Sequence, residues 1–171
     1  FVNNDVNAIF VRDKYAFLAT PNSTELIVLD ISNPSGPQLV TGTGYDAPGG
    51  GHGKALYTVG DNLYLARTTS ADQELYILDN SDPENLQTNN PSPQTREMGE
   101  SVNGVIIRSN LAFLLTNDKF QTVDLNNLVP LYSSVSLPGA ATGGGSAFDC
   151  EGNAFFAGAN TSNNLYVITA P

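Results

Sequence analysis

The sequence is poor in several residue types that proteins use for chemistry or for cross-linking. Its 171 residues include one cysteine, one histidine and no tryptophan. A single cysteine excludes a disulfide within the chain, and a single histidine excludes a histidine-rich metal site. We therefore expect no bound cofactor, and calcium, which binds oxygen ligands, is the one candidate ion.

Positive charge is also scarce. Seven Lys and Arg residues stand against seventeen Asp and Glu, which gives a formal net charge of −10. Binding to nucleic acid or to anionic lipid needs clustered Lys and Arg, so neither is an expected partner. The sequence has no run approaching the roughly 18 apolar residues of a transmembrane helix, and it opens without a basic, apolar signal segment. We expect no direct membrane insertion by this segment.

What the sequence has instead is an internal repeat. An apolar run begins at residues 26, 75, 120 and 165, so successive copies lie 45 to 49 residues apart. Each copy is preceded by two further apolar runs in constant order, and the first of these is rich in small residues. Gly, Asn, Asp, Ser and Pro bound the runs, which is typical of short strands separated by turns. The pattern predicts a repeat architecture, with no helix longer than one or two turns.

The length of the repeat predicts the fold. Links as short as Asp13–Lys14 and Ser109–Asn110 force antiparallel hairpins between the first two runs. A more polar fourth run follows the third, and four antiparallel strands in about 45 residues make a β-propeller blade. We predict an all-β protein, a small propeller of four blades, each a four-stranded antiparallel sheet. A single domain would cover residues 1–171, with repeats at approximately 6–48, 52–98, 102–138 and 145–171 plus 1–5.

The third run of each copy carries a family resemblance. Leu26 to Pro34 reads LIVLDISNP and resembles the repeat named for the pentapeptide Leu-Val-Ile-Val-Asp, the LVIVD repeat. Leu75 to Pro83 reads LYILDNSDP, the third copy keeps Val123 and Asp124, and the fourth retains only the apolar core. The resemblance implies a repeat propeller of a bacterial or archaeal surface or secreted protein. It extends to the ectodomains of some pilin-like proteins.

The last repeat lacks an outer strand in this sequence, which ends at Pro171 directly after the third run. Residues Phe1 to Asn4 precede the first repeat, and we predict that they pair with Leu165–Ile168 and complete the fourth blade. The alternative is an open half-propeller that pairs with another copy. Copies one and three begin with Val-Asn, whereas copies two and four follow Gly-Gly-Gly, so a duplicated two-blade unit fits both arrangements.

Three residues are candidates for the mouth of the propeller axis: His52, Asp46 and Asp149. His52 follows Gly49–Gly51 at the start of an inner strand, where an imidazole suits a general base, but no Ser or Cys nucleophile motif accompanies it. Asp46 and Asp149 form only a notional pair for a glycosidase, which needs carboxylates about 5 to 10 Å apart. We interpret all three as solvated loop residues and assign no catalytic residue. The glycines are interpreted as a connection between blades with positive φ or a close backbone approach.

One Asp-rich turn is a candidate calcium site. Asp79, Ser81, Asp82 and Glu84 offer oxygen ligands, which calcium prefers. Their spacing does not match the twelve-residue helix-loop-helix cage, and Asp and Ser also stabilise ordinary turns through hydrogen bonds to the backbone.

Composition indicates the compartment. Low lysine, abundant Asn, Ser, Thr and Gly, and glycosylation sequons at Asn22 and Asn160 suit a secreted or surface protein. We predict an extracellular, non-enzymatic binding or adhesion domain, displayed on a cell surface or pilin-like filament, with a protein or glycan partner. The alternatives are a structural subunit that decorates a filament, self-assembling through a helix upstream of Phe1, and a propeller hydrolase with axial carboxylates. A carboxylate-lined axial pocket would favour the hydrolase, and an exposed apolar patch would favour binding.

Overall fold

The computed structural model describes residues 5–131, 134–137, 146–149, 152–157 and 165–169. These residues form four antiparallel sheets, one per repeat, which we call blades 1 to 4. Blade 1 contains β1 (Ala8–Arg12), β2 (Tyr15–Ala19), β3 (Leu26–Asp30) and β4 (Gln38–Tyr45). Blade 2 contains β5 (Gly53–Val59), β6 (Asn62–Arg67), β7 (Leu75–Asp79) and β8 (Gln94–Arg96).

Blades 3 and 4 continue the same order. Blade 3 contains β9 (Val102–Arg108), β10 (Leu111–Thr116), β11 (Lys119–Asp124), β12 (Val129–Pro130) and β13 (Val135–Ser136), and both short strands pair with β11. Blade 4 contains β14 (Ser146–Phe148), β15 (Ala154–Ala157) and β16 (Leu165–Ile168). The predicted pairing of Phe1 to Asn4 with β16 lies outside the described residues.

Helical structure is confined to the connections. Two single 3₁₀ turns cover Pro48–Gly50 and Pro83–Asn85, and the short α1 covers Leu86–Asn89. The prediction that no helix exceeds one or two turns is confirmed for the described residues. Likewise, no helix in that part of the chain has the length and apolar character that a bilayer crossing requires.

The hairpins between the first two strands of blades 1 to 3 repeat one turn geometry. The first residue of each link has a positive φ: Asp13 at 55°, Gly60 at 56° and Ser109 at 53°. A positive φ at the first central residue matches the right-handed twist of the flanking strands, which is why hairpins favour such turns. The short links therefore form the predicted hairpins, and in each of them the first residue adopts the positive φ that the turn requires.

Each blade has two apolar faces, because its strands are apolar runs rather than alternating patterns. We call the side towards the next blade in sequence the forward face and the opposite side the backward face. One buried cluster joins blades 1 and 2 through Phe17, Leu26 and Leu65, among others. A second joins blades 2 and 3, and a third joins blades 3 and 4 through Phe120 and Phe156. The core thus lies between blades.

The inner strands β1, β5, β9 and β14 run side by side in the same direction. Asn7, just before β1, donates from Nδ2 to the Gly53 carbonyl at the start of β5, and Arg12 at the end of β1 donates to the Gly60 carbonyl just after β5. The approach at Gly53 is close, since a Cβ atom there would stand 2.4 Å from the Glu25 carbonyl oxygen. We call the end where these strands begin the entry end and the other the hairpin end.

Candidate functional site

A cavity of about 290 Å³ lies where the four inner strands meet. Its lining comes from matching positions of the repeats, since Ile9, Leu56, Val105 and Ser146 are equivalent residues of β1, β5, β9 and β14. The remaining lining residues are Ala8, Phe10, Ala55 and Tyr57. We call this space the axial cavity. Its small lining residues are Ala8, Ala55 and Ser146.

The axial cavity is apolar and aromatic. The rings of Phe10 and Tyr57 meet edge to face, with centroids 5.2 Å apart, and so join blades 1 and 2 beside the cavity. The Ser146 hydroxyl is directed to the wall, where it donates to the Val105 carbonyl oxygen at 3.3 Å. The lining includes no carboxylate. An apolar side chain of a partner would fit this space better than a charged substrate would.

The structure does not bring the three predicted axial-mouth residues together. Asp46 and His52 lie in the connection from β4 to β5, at the entry end, and both are exposed. The backbone of His52 pairs with Thr68, whose hydroxyl accepts its N–H at 2.9 Å. Asp149 lies past the end of β14, at the hairpin end, where its two carboxylate oxygens accept from the backbone N–H and the Nδ2 of Asn153 at 2.9 and 2.7 Å. Asp46 and Asp149 therefore lie at opposite ends of the inner strands.

The interpretation of Gly49–Gly51 as a connection between blades is confirmed. Gly49 has a φ of 88°, and a Cβ atom there would stand 2.8 Å from the Asp72 Cβ. Both the backbone conformation and the close approach require glycine.

The candidate calcium residues are occupied in forming turns. Asp79 Oδ1 accepts the Ser81 N–H at 2.9 Å, and Asp82 Oδ1 accepts the Glu84 N–H at 3.0 Å. Glu84 instead reaches blade 1, where it accepts from the Tyr15 hydroxyl at 2.5 Å. Within the described residues, no three His, Cys, Asp or Glu side chains group as a metal site would require. Calcium binding at this turn stays a prediction.

A second, polar cavity of about 410 Å³ lies at the outer edge between blades 1 and 2. Its lining residues are Asp30, Gln38, Leu39, Val40, Glu84 and Asn85. Hydrogen bonds from the side chain and backbone of Ser32 hold the pKa of Asp30 below its usual value. An acid with a lowered pKa is a poor proton donor at neutral pH, so Asp30 does not suit the role of a glycosidase general acid.

A buried ion pair crosses from blade 1 to blade 2, and sequence reasoning did not find it. Arg67 Nη2 lies 2.5 Å from Glu25 Oε1, and both side chains are fully buried. The second carboxylate oxygen accepts the Ala47 N–H at 2.8 Å, and Arg67 also donates to the Pro48 carbonyl at 2.9 Å. The sequence feature that could have revealed Glu25 is a glutamate directly before the apolar third strand, and it recurs at Glu74. The pair links the two blades and the connection between them.

Glu74 occupies the position equivalent to Glu25 but has no matching arginine. Thr116 stands in blade 3 where Arg67 stands in blade 2. One oxygen of the fully buried Glu74 accepts the N–H groups of Met98 and Gly99, at 2.8 and 3.3 Å, and the other has no hydrogen-bond partner in the described part of the chain. Burial, together with the neighbouring Glu97 carboxylate, raises the pKa of Glu74. The Glu74 carboxyl is packed between blades and borders neither cavity.

Of the two glycosylation sequons, only that at Asn22 lies in the described residues. Asn22 is half-buried, and its Nδ2 atom, to which a glycan would be attached, is covered by its neighbours. Glycosylation of the folded chain at Asn22 would require this amide to turn outwards. Asn160 lies outside the described residues.

Comparisons with known proteins agree with this geometry. Residues 4–42 match the family model described as LVIVD repeat. The comparison with curated proteins gives no match. Among solved structures, the computationally designed Ika4 protein has a TM-score of 0.68 at 10% identity, over 99% of this chain and 93% of that one.

Two natural proteins are similar over about half of their own length. Hsv2 of Kluyveromyces lactis has a TM-score of 0.54 at 11% identity, over 99% of this chain and 47% of that one. A chain from the S. cerevisiae complex of Dbp5 with Nup159, Gle1, IP6 and ADP has a TM-score of 0.50 at 16% identity, over 96% and 44%. Identities this low show the fold alone. The first repeat of this protein is an LVIVD repeat, and the chain that carries it has the fold of a β-propeller.

Proposed function

We propose that this propeller is a non-enzymatic binding module that acts outside the cell, displayed on a surface or a pilin-like filament. The observation that carries the proposal is the axial cavity, whose lining is aliphatic and aromatic apart from Ser146. Concave apolar sites with few polar groups are the usual form of a binding site, and the mouths of propeller axes are open to solvent. The cavity would receive an apolar or aromatic side chain from a protein partner.

The hydrolase is the weaker candidate for a chemical reason. A glycosidase needs one carboxyl with a raised pKa beside one that stays ionised. In the part of the chain that the structure describes, the carboxyls with a raised pKa, Glu25 and Glu74, are buried between blades, whereas Asp30, at the outer cavity, has a lowered pKa. The carboxyls with a raised pKa and the carboxyl with a lowered pKa therefore lie in different parts of the fold. Binding requires only that the side chains lining a cavity match the partner in shape and polarity.

Three further features support this proposal. The chain has a net charge of −10, so a partner whose apolar anchor is surrounded by basic residues would be favoured. Low lysine and a single cysteine suit a surface protein. The similar chain from S. cerevisiae comes from an assembly of several proteins, which is consistent with a propeller acting through protein contacts.

The test is a selection from a peptide-display library on the purified chain. We expect enrichment of peptides with an aromatic or aliphatic anchor and loss of their binding to Ser146→Arg, which places a long cation in the axial cavity. Ser35→Arg is the matched control, because it adds the same charge at an exposed turn away from the cavity.

A panel of chromogenic glycosides, esters and peptides completes the experiment. If the unmodified chain hydrolysed any of these compounds and Ser146→Arg did not, the protein would be a hydrolase and not a binding module. Peptides that bind Ser146→Arg as well as they bind the unmodified chain would show that the axial cavity is not the binding site.

A further inference from the structure

The glutamate before the third strand has different partners at two junctions between blades. At the junction of blades 1 and 2, Glu25 has Arg67 on one oxygen and the Ala47 N–H on the other. At the junction of blades 2 and 3, Glu74 accepts the Met98 N–H at 2.8 Å in the same way. Its other oxygen, Oε1, is enclosed and accepts no hydrogen bond in the described part of the chain. The second junction therefore lacks the donor that the arginine supplies in the first.

A second carboxyl lies beside Glu74. Glu97 Oε1 accepts the Gly99 N–H at 2.9 Å, and Glu74 Oε2 accepts the same N–H at 3.3 Å. Leu75 and Arg96 are paired across β7 and β8, so Glu74 and Glu97, one position beyond them, face each other where the two strands end. The two carboxyls are in hydrogen-bonding contact. We call Glu74 and Glu97 the glutamate pair.

The contact within the glutamate pair requires a proton. An ionised carboxylate can only accept hydrogen bonds, so two ionised carboxylates cannot form one with each other. Two negative charges at this distance also disfavour the ionisation of both groups. Glu74 is fully buried whereas Glu97 is exposed, and burial favours the neutral form, so the proton belongs on Glu74. Glu74 Oε1 then becomes a donor and is no longer without a partner.

No basic side chain among the described residues takes the place of this proton. Arg67 and Lys119 are each paired with another glutamate, at 2.5 Å. Arg96 stands opposite Leu75 rather than opposite Glu74, and the alternation of side chains along a strand directs it to the other face of the blade. A carboxyl that is buried beside a second carboxyl, without a cation, keeps its proton.

We propose that Glu74 and Glu97 hold one proton between them and that this proton fastens the connection between blades 2 and 3. While the proton is present, Glu74 donates to Glu97 and both carboxyls retain the Gly99 N–H. When it is lost, two negative charges face each other, and the exposed Glu97 turns towards solvent and releases that N–H. The pair is a pH-sensitive latch, and it does not depend on what the axial cavity binds.

The latch closes in acid and opens as the pH rises. Burial and the Glu97 carboxyl raise the pKa of Glu74 above its ordinary value of about 4.5. The latch is therefore closed below about pH 4.5 and opens as the pH rises through the higher pKa of the folded chain. Arg67 stays charged throughout this range, so the junction of blades 1 and 2 needs no proton to supply the donor.

The experiment follows the carboxyl ¹³C resonances of Glu74 and Glu97 by NMR as the pH of the full chain is raised. We expect Glu74 to titrate above its ordinary value, and the resonance of Glu97 to respond in the same step because the two groups titrate as a pair. Hydrogen exchange of the Gly99 N–H, measured over the same range, reports the latch itself. Its protection should fall as Glu74 loses its proton.

Two amide variants supply the donor permanently. Glu97→Gln donates from its side-chain amide to an ionised Glu74, so the pKa of Glu74 should fall. Glu74→Gln donates to Glu97 at every pH, so the protection of the Gly99 N–H should no longer depend on pH. Asp61→Asn is the matched control, because it removes the same charge from an exposed turn at the opposite end of blade 2, and it should change neither result.

Three outcomes would overturn the proposal, and the first two need no variant. If Glu74 titrates at its ordinary value in the unmodified chain, the pair holds no shared proton. If the protection of the Gly99 N–H does not change as Glu74 titrates, the proton does not fasten the connection. If the pKa of Glu74 is the same in Glu97→Gln as in the unmodified chain, burial alone retains the proton and Glu97 has no part in it.

Discussion

At the scale of single residues, two equivalent glutamates show how one repeat position acquires different chemistry. Glu25 meets Arg67 at 2.5 Å, with the Ala47 N–H on its second oxygen. Glu74 accepts hydrogen bonds from backbone N–H groups and has Thr116 where the arginine would stand. A buried carboxylate without a cation is costly, because desolvation favours its protonated form. Burial raises the pKa of both glutamates, and Arg67 lowers only that of Glu25.

The raised pKa of Glu74 predicts how stability depends on pH. A raised pKa means that the folded chain holds the Glu74 proton more tightly than the unfolded chain does, so the free energy of unfolding falls as the pH rises above the ordinary value of about 4.5. Glu74→Gln removes this ionisation and should flatten the decline between pH 4.5 and neutrality. Urea unfolding at several pH values measures it.

Glu100→Gln is the control of opposite sign. Burial raises the pKa of Glu100, but hydrogen bonds from Lys119 and Thr116 outweigh burial and lower it overall. Glu100 therefore stabilises the fold above its ordinary pKa, and its loss should lower stability at neutral pH more than at acid pH. If both variants changed the pH profile in the same direction, the assignment for Glu74 would be wrong.

At the scale of elements, the sequence pattern predicted the positions of the strands, but it did not predict the contacts made by residues in the connections. The run Leu26–Asp30 is a strand from end to end because its first four residues are aliphatic, two of them β-branched, and a turn follows directly. The candidate axial residues Asp46, His52 and Asp149 lie in connections instead. Because Asp46 precedes an inner strand and Asp149 follows one, the strand order of the repeat alone separates these two residues. The Glu25–Arg67 pair was missed because its partners are 42 positions apart in different blades.

The three equivalent hairpins predict one stabilising substitution. Ser109 holds a φ of 53°, which costs a residue with a Cβ atom roughly 1 kcal/mol. Gly60 holds the same conformation in blade 2 without that cost. Ser109→Gly should therefore raise the free energy of unfolding by about 0.5 to 1 kcal/mol, as measured in urea.

Gly60→Ser is the reciprocal control. A Cβ atom at Gly60 meets no other atom within 4 Å, so only the backbone conformation is altered. The variant should lose a similar amount of stability. A neutral result at both sites would mean that the positive φ costs nothing in these turns.

At the scale of the whole molecule, the low charge density and the net charge of −10 take on a physical role. Apart from Glu25 and Glu74, which are buried between blades, acidic groups mark turns and strand ends, and the clusters between blades are apolar. Repulsion among the exposed acids therefore acts through solvent, where salt screens it.

Salt should therefore raise the free energy of unfolding. Raising the ionic strength from about 10 to about 150 mM shortens the screening length from about 30 Å to about 8 Å, so repulsion among the acids weakens and urea unfolding should show a more stable chain. The same measurement on Val129→Lys, whose added cation reduces the net charge, should show a smaller change. A free energy of unfolding that falls with salt would mean that ion pairs outweigh the repulsion among the acids.

The three buried clusters have a consequence for how the protein comes into being. Each cluster needs only two consecutive blades, so its residues are close in sequence and the coupling between blades passes from neighbour to neighbour. Blade 1 can find its packing partner once blade 2 has left the ribosome, before blades 3 and 4 are synthesised. Stability should rise with each blade added, and blades 2 and 3, each enclosed on both sides, should be the last to open to solvent.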